Sequence, residues 1–272
     1  MKNEMLTIAR IKADLAKLVA AAPTLKHANG AGRIFELYLV MRLARALKQT
    51  GWNVEPLDYK GNAITAGGVY VQRGGAPTGI FPSIAPNGPS SIRIWRNVRD
   101  NAFEILNGVQ FMGRSTALHE IDIALVPAKI AIALRAGATE DYPLGRPKVS
   151  IECKDVGTAG SADEMRSVVA RMYDLTILDV HQKYLFGGTL PSGSIFAGAP
   201  SGPWTANGKG SRTFLGENES SLCALVRRGG ITAGAYQMTG LFHVHTYTKV
   251  DRGTQAVLDF VQETTAWIDS NL

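Results

Sequence analysis

The sequence predicts an α/β protein in which one mixed β-sheet lies between helices. Two helical patterns near the start, two strongly apolar strand patterns near the middle and another helical pattern at the end support this class. The 272 residues allow one large domain or two small ones with a sizeable core. We expect one domain over residues 1–272.

The first half of the chain begins with two helices and continues into a β-rich segment. Residues 4–20 carry Leu, Ile, Ala and Val at helical spacing, and residues 32–50 form a second helix ended by Gly51. From about 52 to 118, Gly, Pro, Ser and Asn separate short β-prone pieces such as GVYVQR, SIRIWRNV and FEILNGVQFM. We interpret this segment as a β-rich insertion laid against the core.

The second half alternates strands with helices. HEIDIALVP (119–127) and KVSIECKD (148–155) are predicted as central strands, and a helix over about 162–186 follows. SIFAGAP, ITAGAYQM and LFHVHTYTKV are interpreted as further strands. A helix over about 253–270 closes the chain, and it places its apolar side chains on one side (Val257, Phe260, Val261 and Trp267).

Composition limits the classes of partner and compartment. The 29 Lys and Arg against 23 Asp and Glu give a net charge of +6, which suits a polyanion such as nucleic acid. Two cysteines are too few for a disulfide framework or a Cys-rich zinc site. The N-terminus lacks the apolar core of a signal peptide, and no apolar run reaches the ~18–20 residues that span a bilayer. We therefore expect a cytoplasmic protein without membrane contact.

The IECKD segment brings an acid and a base together. Side chains two residues apart in a strand point to the same face, so Glu152 and Lys154 emerge together. Ile151 and Cys153 point the other way, into apolar packing. A surface ion pair, worth about 0–1 kcal/mol, is the structural alternative to a functional role for this pair.

Asp122 lies inside an otherwise apolar strand. Alternation predicts Ile121 and Ile123 on one face and Asp122 with Glu120 on the other. An unpaired carboxylate in such a place is costly. A divalent cation bound jointly by Asp122 and Glu152 removes that cost and leaves the lysine of the motif beside the cation.

A third acid comes from the second helix. Glu36 is the only acid of that helix and lies on its apolar stripe, together with Leu39 and Leu43. We expect Glu36 either to complete a metal site or to orient a metal-bound water, or else to pair with a basic neighbour. The basic residues of this helix lie on the opposite arc (Arg33, Arg42, Arg45 and Lys48).

Asp122 followed by Glu152-Cys153-Lys154, and preceded by a helix with Glu36, resembles the PD-(D/E)XK nuclease superfamily. The stretches EIDIALV and VSIECKD are similar to the EIDV and IECK forms of its restriction-like members. By this resemblance, Asp122, Glu152 and the Cys153 backbone carbonyl hold one or two Mg²⁺ ions, with Mn²⁺ as a substitute and Glu36 as a possible further ligand. Lys154 then stabilises the transition state or orients the nucleophile.

The resemblance also implies a restriction endonuclease-like core of order α-β-β-β-α-β. Its members are the second predicted helix, a strand near 109–115, the two motif strands, the helix over about 162–186 and SIFAGAP. Two departures stand out: Ile121 occupies the position of the family's proline, and a long insertion separates the second helix from the Asp122 strand.

The activity implied by the resemblance is a Mg²⁺-dependent endonuclease that cleaves DNA, expected to be double-stranded, in restriction or in anti-phage defence. The chain has no P-loop motif, so an ATPase, helicase or sensor partner is expected in a defence complex. Duplex cleavage by one site per chain favours a homo-oligomer. A non-catalytic nucleic-acid-binding or assembly subunit with the same fold, or an RNA-directed nuclease, are the alternatives.

Basic side chains outside the motif are candidates for nucleic-acid contacts. Arg93 and Arg96 flank an aromatic residue, Trp95, on a predicted strand. Exposed arginines on a helix usually form a solvated face, which is the structural alternative for those that follow the motif. The remaining candidates lie on that helix and in a basic loop (Arg166, Arg171 and Lys209).

Overall fold

The structure is a computed structural model and contains an α/β arrangement with a mixed central sheet flanked by helices. It describes residues 2–19, 24–27, 31–72, 88–113, 117–135, 144–175, 214–215, 221–251 and 253–272. The predicted strand SIFAGAP, the predicted helical residues after 175 and the candidate Lys209 lie outside these residues.

Helices of the described residues fall into two layers. They are α1 (Lys2–Val19), α2 (Ala31–Gln49), α3 (Ala128–Arg135), α4 (Ala162–Leu175), α5 (Ala233–Leu241) and α6 (Gln255–Asn271). The predictions of helices over 4–20, 32–50 and 253–270 are therefore confirmed to within two residues at each end.

The strands are β1 (Thr24–His27), β2 (Asn53–Leu57), β3 (Val69–Gln72), β4 (Ser91–Trp95), β5 (Phe103–Met112), β6 (Leu118–Pro127), β7 (Leu144–Gly145), β8 (Val149–Lys154), β9 (Phe214–Leu215), β10 (Leu222–Arg227) and β11 (His245–Tyr247). Seven of them follow one another across the central sheet in the order β11-β10-β8-β6-β5-β4-β2. The pairs among β11, β10 and β8 are parallel, and those from β8 to β2 are antiparallel. The short strands β7 and β9 attach to β5, while β1 and β3 form a separate parallel pair.

Apolar packing covers both faces of the sheet. On the face that we call the α2 face, α1, α2 and α6 pack against strand residues such as Ile105, Ile123 and Ile151. On the opposite face, which we call the α4 face, α3, α4 and α5 pack against residues such as Val126 and Leu225. Helix α2 lies between α1 and α6, so most of its circumference is buried.

Three of the four described strands of the β-rich segment belong to the central sheet, which corrects their interpretation as an insertion laid against the core, whereas β3 pairs with β1 outside that sheet. Strands β2, β4 and β5 extend the sheet beyond β6. The predicted strand near 109–115 corresponds to β5, which begins earlier in the chain. Strand β5 joins these strands to the core, because it pairs with β6 over most of its length.

Two elements of the last hundred residues differ from the sequence interpretation. ITAGAYQM was assigned to a strand, but its residues belong mainly to α5, since Ala, Gln, Met and Leu favour a helix once Thr232 occupies the N-cap position. Strand β10 was missed. Every residue of β10 is buried because it lies between β8 and β11 with helices on both faces, so it lacks the alternation that marks a half-exposed strand.

Candidate active site

Strand β8 presents the acid and the base of the motif to the α4 face, as alternation predicts. The Glu152 side chain is 2% exposed, and its Oε1 accepts hydrogen bonds from Lys154 Nζ at 2.5 Å and from Arg171 Nη2 of α4 at 2.7 Å. Its Oε2 is buried and has no hydrogen-bond partner among the described residues. One oxygen of the Glu152 carboxylate therefore has two cationic partners, and the other oxygen has none among the described residues.

A gap opens between β6 and β8 beside this carboxylate. The two strands pair at Ile123 with Ile151, and the next positions along the register, Asp122 and Glu152, are not paired. Instead, the backbone N–H of Cys153 donates a hydrogen bond to Asp122 Oδ2 at 2.8 Å. The N–H and C=O of one strand residue point to the same edge, so the Cys153 carbonyl faces the same gap.

Side-chain alternation along β6 breaks at Asp122. Ile121 packs on the α4 face and Ile123 on the α2 face, although the two residues are two positions apart. Glu120 reaches the α2 face, where it bonds a side chain of α2. Gly108 stands opposite Asp122 in the β5–β6 register with a φ of +59°, a conformation that glycine adopts without strain. The prediction that Ile121 and Ile123 share a face is therefore wrong, and the irregularity directs Asp122 to the gap.

Helix α2 adds an acid from the other face of the sheet. The Glu36 side chain is 8% exposed, and Arg33, one turn earlier, donates to Glu36 Oε2 at 3.0 Å and to Glu120 Oε1 at 2.9 Å. Burial and the nearby charge of Asp122 raise the pKa of Glu36 to about 7. Glu36 is thus brought to the site, and it is also paired with a basic neighbour.

Asp122 is the electrostatic centre of this group. Burial and the charge of Glu152 raise the pKa of Asp122 to about 6, against the hydrogen bond from Cys153 N–H and the charge of Lys154. Burial lowers the pKa of Lys154, but the charge and hydrogen bond of Glu152 outweigh burial and raise it overall. Asp122 therefore lies within electrostatic reach of an acid from each face of the sheet.

The donor chemistry of the gap suits a hard divalent cation. Carboxylate oxygens of Asp122 and Glu152 and the Cys153 carbonyl are oxygen ligands of the kind that Mg²⁺ prefers, and Glu152 Oε2 is a buried acceptor without a donor. Within the described part of the chain, no three His, Cys, Asp or Glu side chains are grouped closely enough to hold a metal as they stand. The ligands that the gap offers are therefore the carboxylates of Asp122 and Glu152 and the Cys153 carbonyl. Glu36 is not among them, because it is bound to Arg33.

The remaining basic candidates are distributed differently. Arg171 joins the site, but its partner is Glu152. Arg93 turns inward to the buried Glu104, at 2.8 Å, so the structure does not bring it to the acids. Arg96 stacks on an aromatic ring and bonds a carboxylate of α6, and Arg166 pairs with a neighbour on its own helix.

Sequence reasoning allowed for a basic partner of Glu36 but placed Arg33 on the opposite arc of the helix, which is wrong. Arg33 precedes Glu36 by three residues, a spacing that brings helical side chains together, so this pair was within reach of a sequence argument. The contact of Arg33 with Glu120 and that of Arg171 with Glu152 join residues far apart in the chain. They depend on how α2 and α4 dock on the sheet, for which the sequence carries no local signal.

No model of a known protein family matches this chain, and neither does any curated protein or solved structure. Among the described residues, none of the helices has the length and apolar character needed to cross a bilayer.

Proposed function

We propose that this chain is a divalent-metal-dependent endonuclease that hydrolyses DNA phosphodiester bonds, with Mg²⁺ as the natural ion, in restriction or anti-phage defence. The observation that carries the proposal is the meeting of Asp122, Glu152 and Lys154 at one gap in the sheet. The half-buried Asp122 beside the buried Glu152 is destabilising in itself, and a bound cation offsets that cost.

The order of elements supports the same proposal. Helix α2, strands β5, β6 and β8, helix α4 and strand β10 follow the order α-β-β-β-α-β that the resemblance to PD-(D/E)XK nucleases implies. Neighbouring positions β5, β6, β8 and β10 in the sheet are consistent with one continuous core. In this proposal β10 takes the place that the sequence interpretation gave to SIFAGAP.

Each group has a role in the proposed reaction. Asp122, Glu152 and the Cys153 carbonyl would hold the ion, which supplies Lewis-acid activation of a water and charge neutralisation at the phosphate when bound. Lys154 is 31% exposed, so its ammonium lies between the buried carboxylate and solvent, where it stabilises charge on the phosphate. Glu36, whose pKa is raised to about 7, would accept a proton from the attacking water in this proposal once Arg33 releases it.

A non-catalytic nucleic-acid-binding subunit is the second candidate. The observation that favours it is the pairing of Glu152 with both Lys154 and Arg171, which is what a purely structural ion cluster requires. This candidate predicts nucleic-acid binding that is independent of divalent ions.

Cleavage of supercoiled plasmid with Mg²⁺ separates the two candidates. We expect nicked and linear products from the wild type and a loss of ~100-fold or more with Lys154→Ala or Asp122→Asn. Arg166→Met is the matched control, because Arg166 is exposed and paired only with Asp163 in the described contacts. Undiminished cleavage by Lys154→Ala would remove our site, and plasmid binding without cleavage would favour the second candidate. An RNA substrate in parallel tests whether the target is RNA instead.

A further inference from the structure

Three partly exposed cations pair with the buried acids near the gap. The side chains of Arg33, Lys154 and Arg171 are 31%, 31% and 27% exposed, whereas those of Glu36 and Glu152 are 8% and 2% exposed. Glu36 and Glu152 are therefore more deeply buried than the positive groups that pair with them. Such a layering suits an anion that approaches from outside and a cation that binds underneath.

We propose that Arg33 and Arg171 are phosphate-binding residues. They hold the acids of the gap when no substrate is bound, and they turn to phosphate oxygens of the nucleic-acid backbone, on either side of Asp122, when it is bound. This inference rests on the proposed nuclease function and deepens it, because it names the two residues that position the substrate strand.

The placement of the two arginines on opposite faces supports this role. Arg33 comes from α2 and bonds Glu36 and Glu120, and Arg171 comes from α4 and bonds Glu152. The gap lies between them. Since phosphates follow one another along a strand, two cations that flank the gap fit the phosphates that flank a scissile bond.

Donor capacity remains on both guanidinium groups. Arg33 uses Nη1 and Nη2 for its two carboxylates, and Arg171 uses Nη2 for Glu152 and Nε for the Ser167 carbonyl at 3.3 Å. A guanidinium carries five N–H groups in a planar fork, so further N–H groups can contact a phosphate. In this proposal each arginine reaches a phosphate by rotation about its side-chain bonds, without movement of the helix that carries it.

Two other arginines that are candidates for nucleic-acid contacts lack this combination. Arg93 is 13% exposed and bound to the fully buried Glu104, away from the acids of the gap. Arg166 is 65% exposed on α4, but it lies five residues before Arg171, roughly 140° around the helix axis. Arg166 therefore faces away from Glu152 and provides a control of equal charge on the same helix.

The salt dependence of duplex binding tests the proposal. Fluorescence anisotropy of a labelled duplex, with Ca²⁺ in place of Mg²⁺ and duplex integrity checked on a gel, gives the slope of log affinity against log salt. We expect Arg33→Met and Arg171→Met each to reduce the magnitude of that slope by about 1 and to weaken binding ~3- to 10-fold. Arg166→Met, which removes an equal charge from the same helix, should reduce the slope less than Arg171→Met does, and Arg171→Lys should restore most of it because the charge is kept.

Calorimetric titration with Mg²⁺ alone separates phosphate binding from a structural role. If Arg171 only positions Glu152, Arg171→Met weakens Mg²⁺ binding and leaves the duplex slope as in the wild type, which overturns the proposal. If our inference is right, Arg171→Met binds Mg²⁺ at least as tightly as the wild type, because a competing cation has left Glu152 Oε1. Thermal unfolding of each variant checks that it is folded, and Arg171→Lys gives the same slope test if Arg171→Met is not.

The failure of the inference is distinct from the failure of the proposed function. A wild type that cleaves plasmid, with variants whose salt slopes equal that of the wild type, overturns the roles of Arg33 and Arg171 and leaves the nuclease intact. A wild type that binds neither Mg²⁺ nor duplex overturns both.

Discussion

The backbone N–H of Cys153 donates a hydrogen bond to Asp122 Oδ2 at 2.8 Å, beyond the end of the strand pairing at Ile123 and Ile151. The acid of β6 is therefore fixed by the strand that carries Glu152. This bond tolerates an amide in place of the carboxylate, since an amide oxygen also accepts it. The charge of Asp122 can thus be removed while its geometry is kept.

Asp122→Asn should stabilise the metal-free protein at pH 8. Partial burial, followed by the charge of Glu152, raises the pKa of Asp122 to about 6, so its charged form destabilises the fold above that pH. We expect the melting temperature of the variant to rise by about 2–4 °C without metal. Differential scanning calorimetry in EDTA measures this.

Mg²⁺ should reverse the order of stability of the wild type and Asp122→Asn. Millimolar Mg²⁺ should raise the melting temperature of the wild type, because the ion binds the folded state, and should leave Asp122→Asn unchanged. Asp163→Asn, which removes an exposed acid paired with Arg166, is the control and should respond to Mg²⁺ as the wild type does. An equal Mg²⁺ response of Asp122→Asn would mean that the ion binds elsewhere.

A buried ion cluster at the other end of β5 should control acid stability. Glu104 is fully buried and accepts hydrogen bonds from Arg135 at 2.6 Å, from Arg93 at 2.8 Å and from Ser91 at 2.8 Å. Burial alone raises the pKa of Glu104, but the bonds and charge of Arg135, followed by those of Arg93 and Ser91, outweigh it and lower the pKa overall. Glu104→Gln leaves buried arginines without a counter-charge and should cost about 3–5 kcal/mol of unfolding free energy at pH 7.

The sign of the pH dependence follows from that lowered pKa. The stabilising contribution of Glu104 is fully present above its unfolded-state pKa, near the ordinary value of 4.5, and is lost as the pH falls through the lower folded-state pKa. Urea unfolding of wild type and Glu104→Gln should therefore differ by a constant amount above about pH 5 and converge below about pH 4. Glu55→Gln, at a more exposed pair with Arg99, is the control. A difference that persists unchanged at pH 3 contradicts the assignment.

The contact of α6 with the β2 and β4 end of the sheet depends on one carboxylate. Asp269 Oδ1 accepts from Trp52 Nε1 at 2.6 Å and from Arg96 Nη2 at 2.8 Å, and the Arg96 guanidinium lies 5.0 Å from the Trp52 ring centroid. Asp269→Ala leaves the nearly buried indole N–H unpaired, so we expect a loss of about 1–3 kcal/mol. Chemical unfolding measures it, with Asp259→Ala, whose described bond is to Gln255 on the same helix, as the control.

An equal loss from the two variants would show that the effect belongs to the helix and not to the Trp52 contact. Nucleic-acid binding by Arg96 predicts, in addition, that Arg96→Met weakens duplex binding more than Asp269→Ala does. Because Arg96 is paired with Asp269, we expect Arg96→Met to weaken duplex binding no more than Asp269→Ala does.

Local patterns identified those site residues whose geometry is itself local. Glu152 and Lys154 share a face because β8 is regular, and alternation suffices to place them. Asp122 was found as an acid in an apolar strand, but its face was not. The reason is Gly108, which distorts the ladder from the neighbouring strand, and no feature of the HEIDIALVP stretch reports it.

Long-range docking decided the rest of the site and part of the fold. Whether Arg171 contacts Glu152 depends on how α4 lies over β8. The sequence between these two elements does not determine that orientation. Strand β10 was missed for a related reason: its apolar run fits a buried strand or a buried helix equally well, and only its place between β8 and β11 settles the choice.

Gly229 should be essential to the loop that follows Lys154. An added Cβ at Gly229 would lie 2.3 Å from the Thr158 carbonyl oxygen and 2.8 Å from that of Val156, and its N–H already bonds the latter. These contacts are with backbone and not with a flexible side chain. The loop after β8 and the turn after β10 must therefore separate, at a cost of about 1–3 kcal/mol or more. We expect Gly229→Ala to lower both the melting temperature and plasmid cleavage.

The adjacent Gly230 provides a matched control for this prediction, since a Cβ there meets nothing within 4 Å. Gly230→Ala should change the melting temperature by no more than about 1–2 °C, in line with surface substitutions. If cleavage falls with Gly229→Ala at a temperature where the variant is fully folded, the packing of the loop positions Lys154 for the reaction. Equal effects of the two substitutions would show that backbone entropy, and not the contact with Thr158, determines the behaviour of this turn.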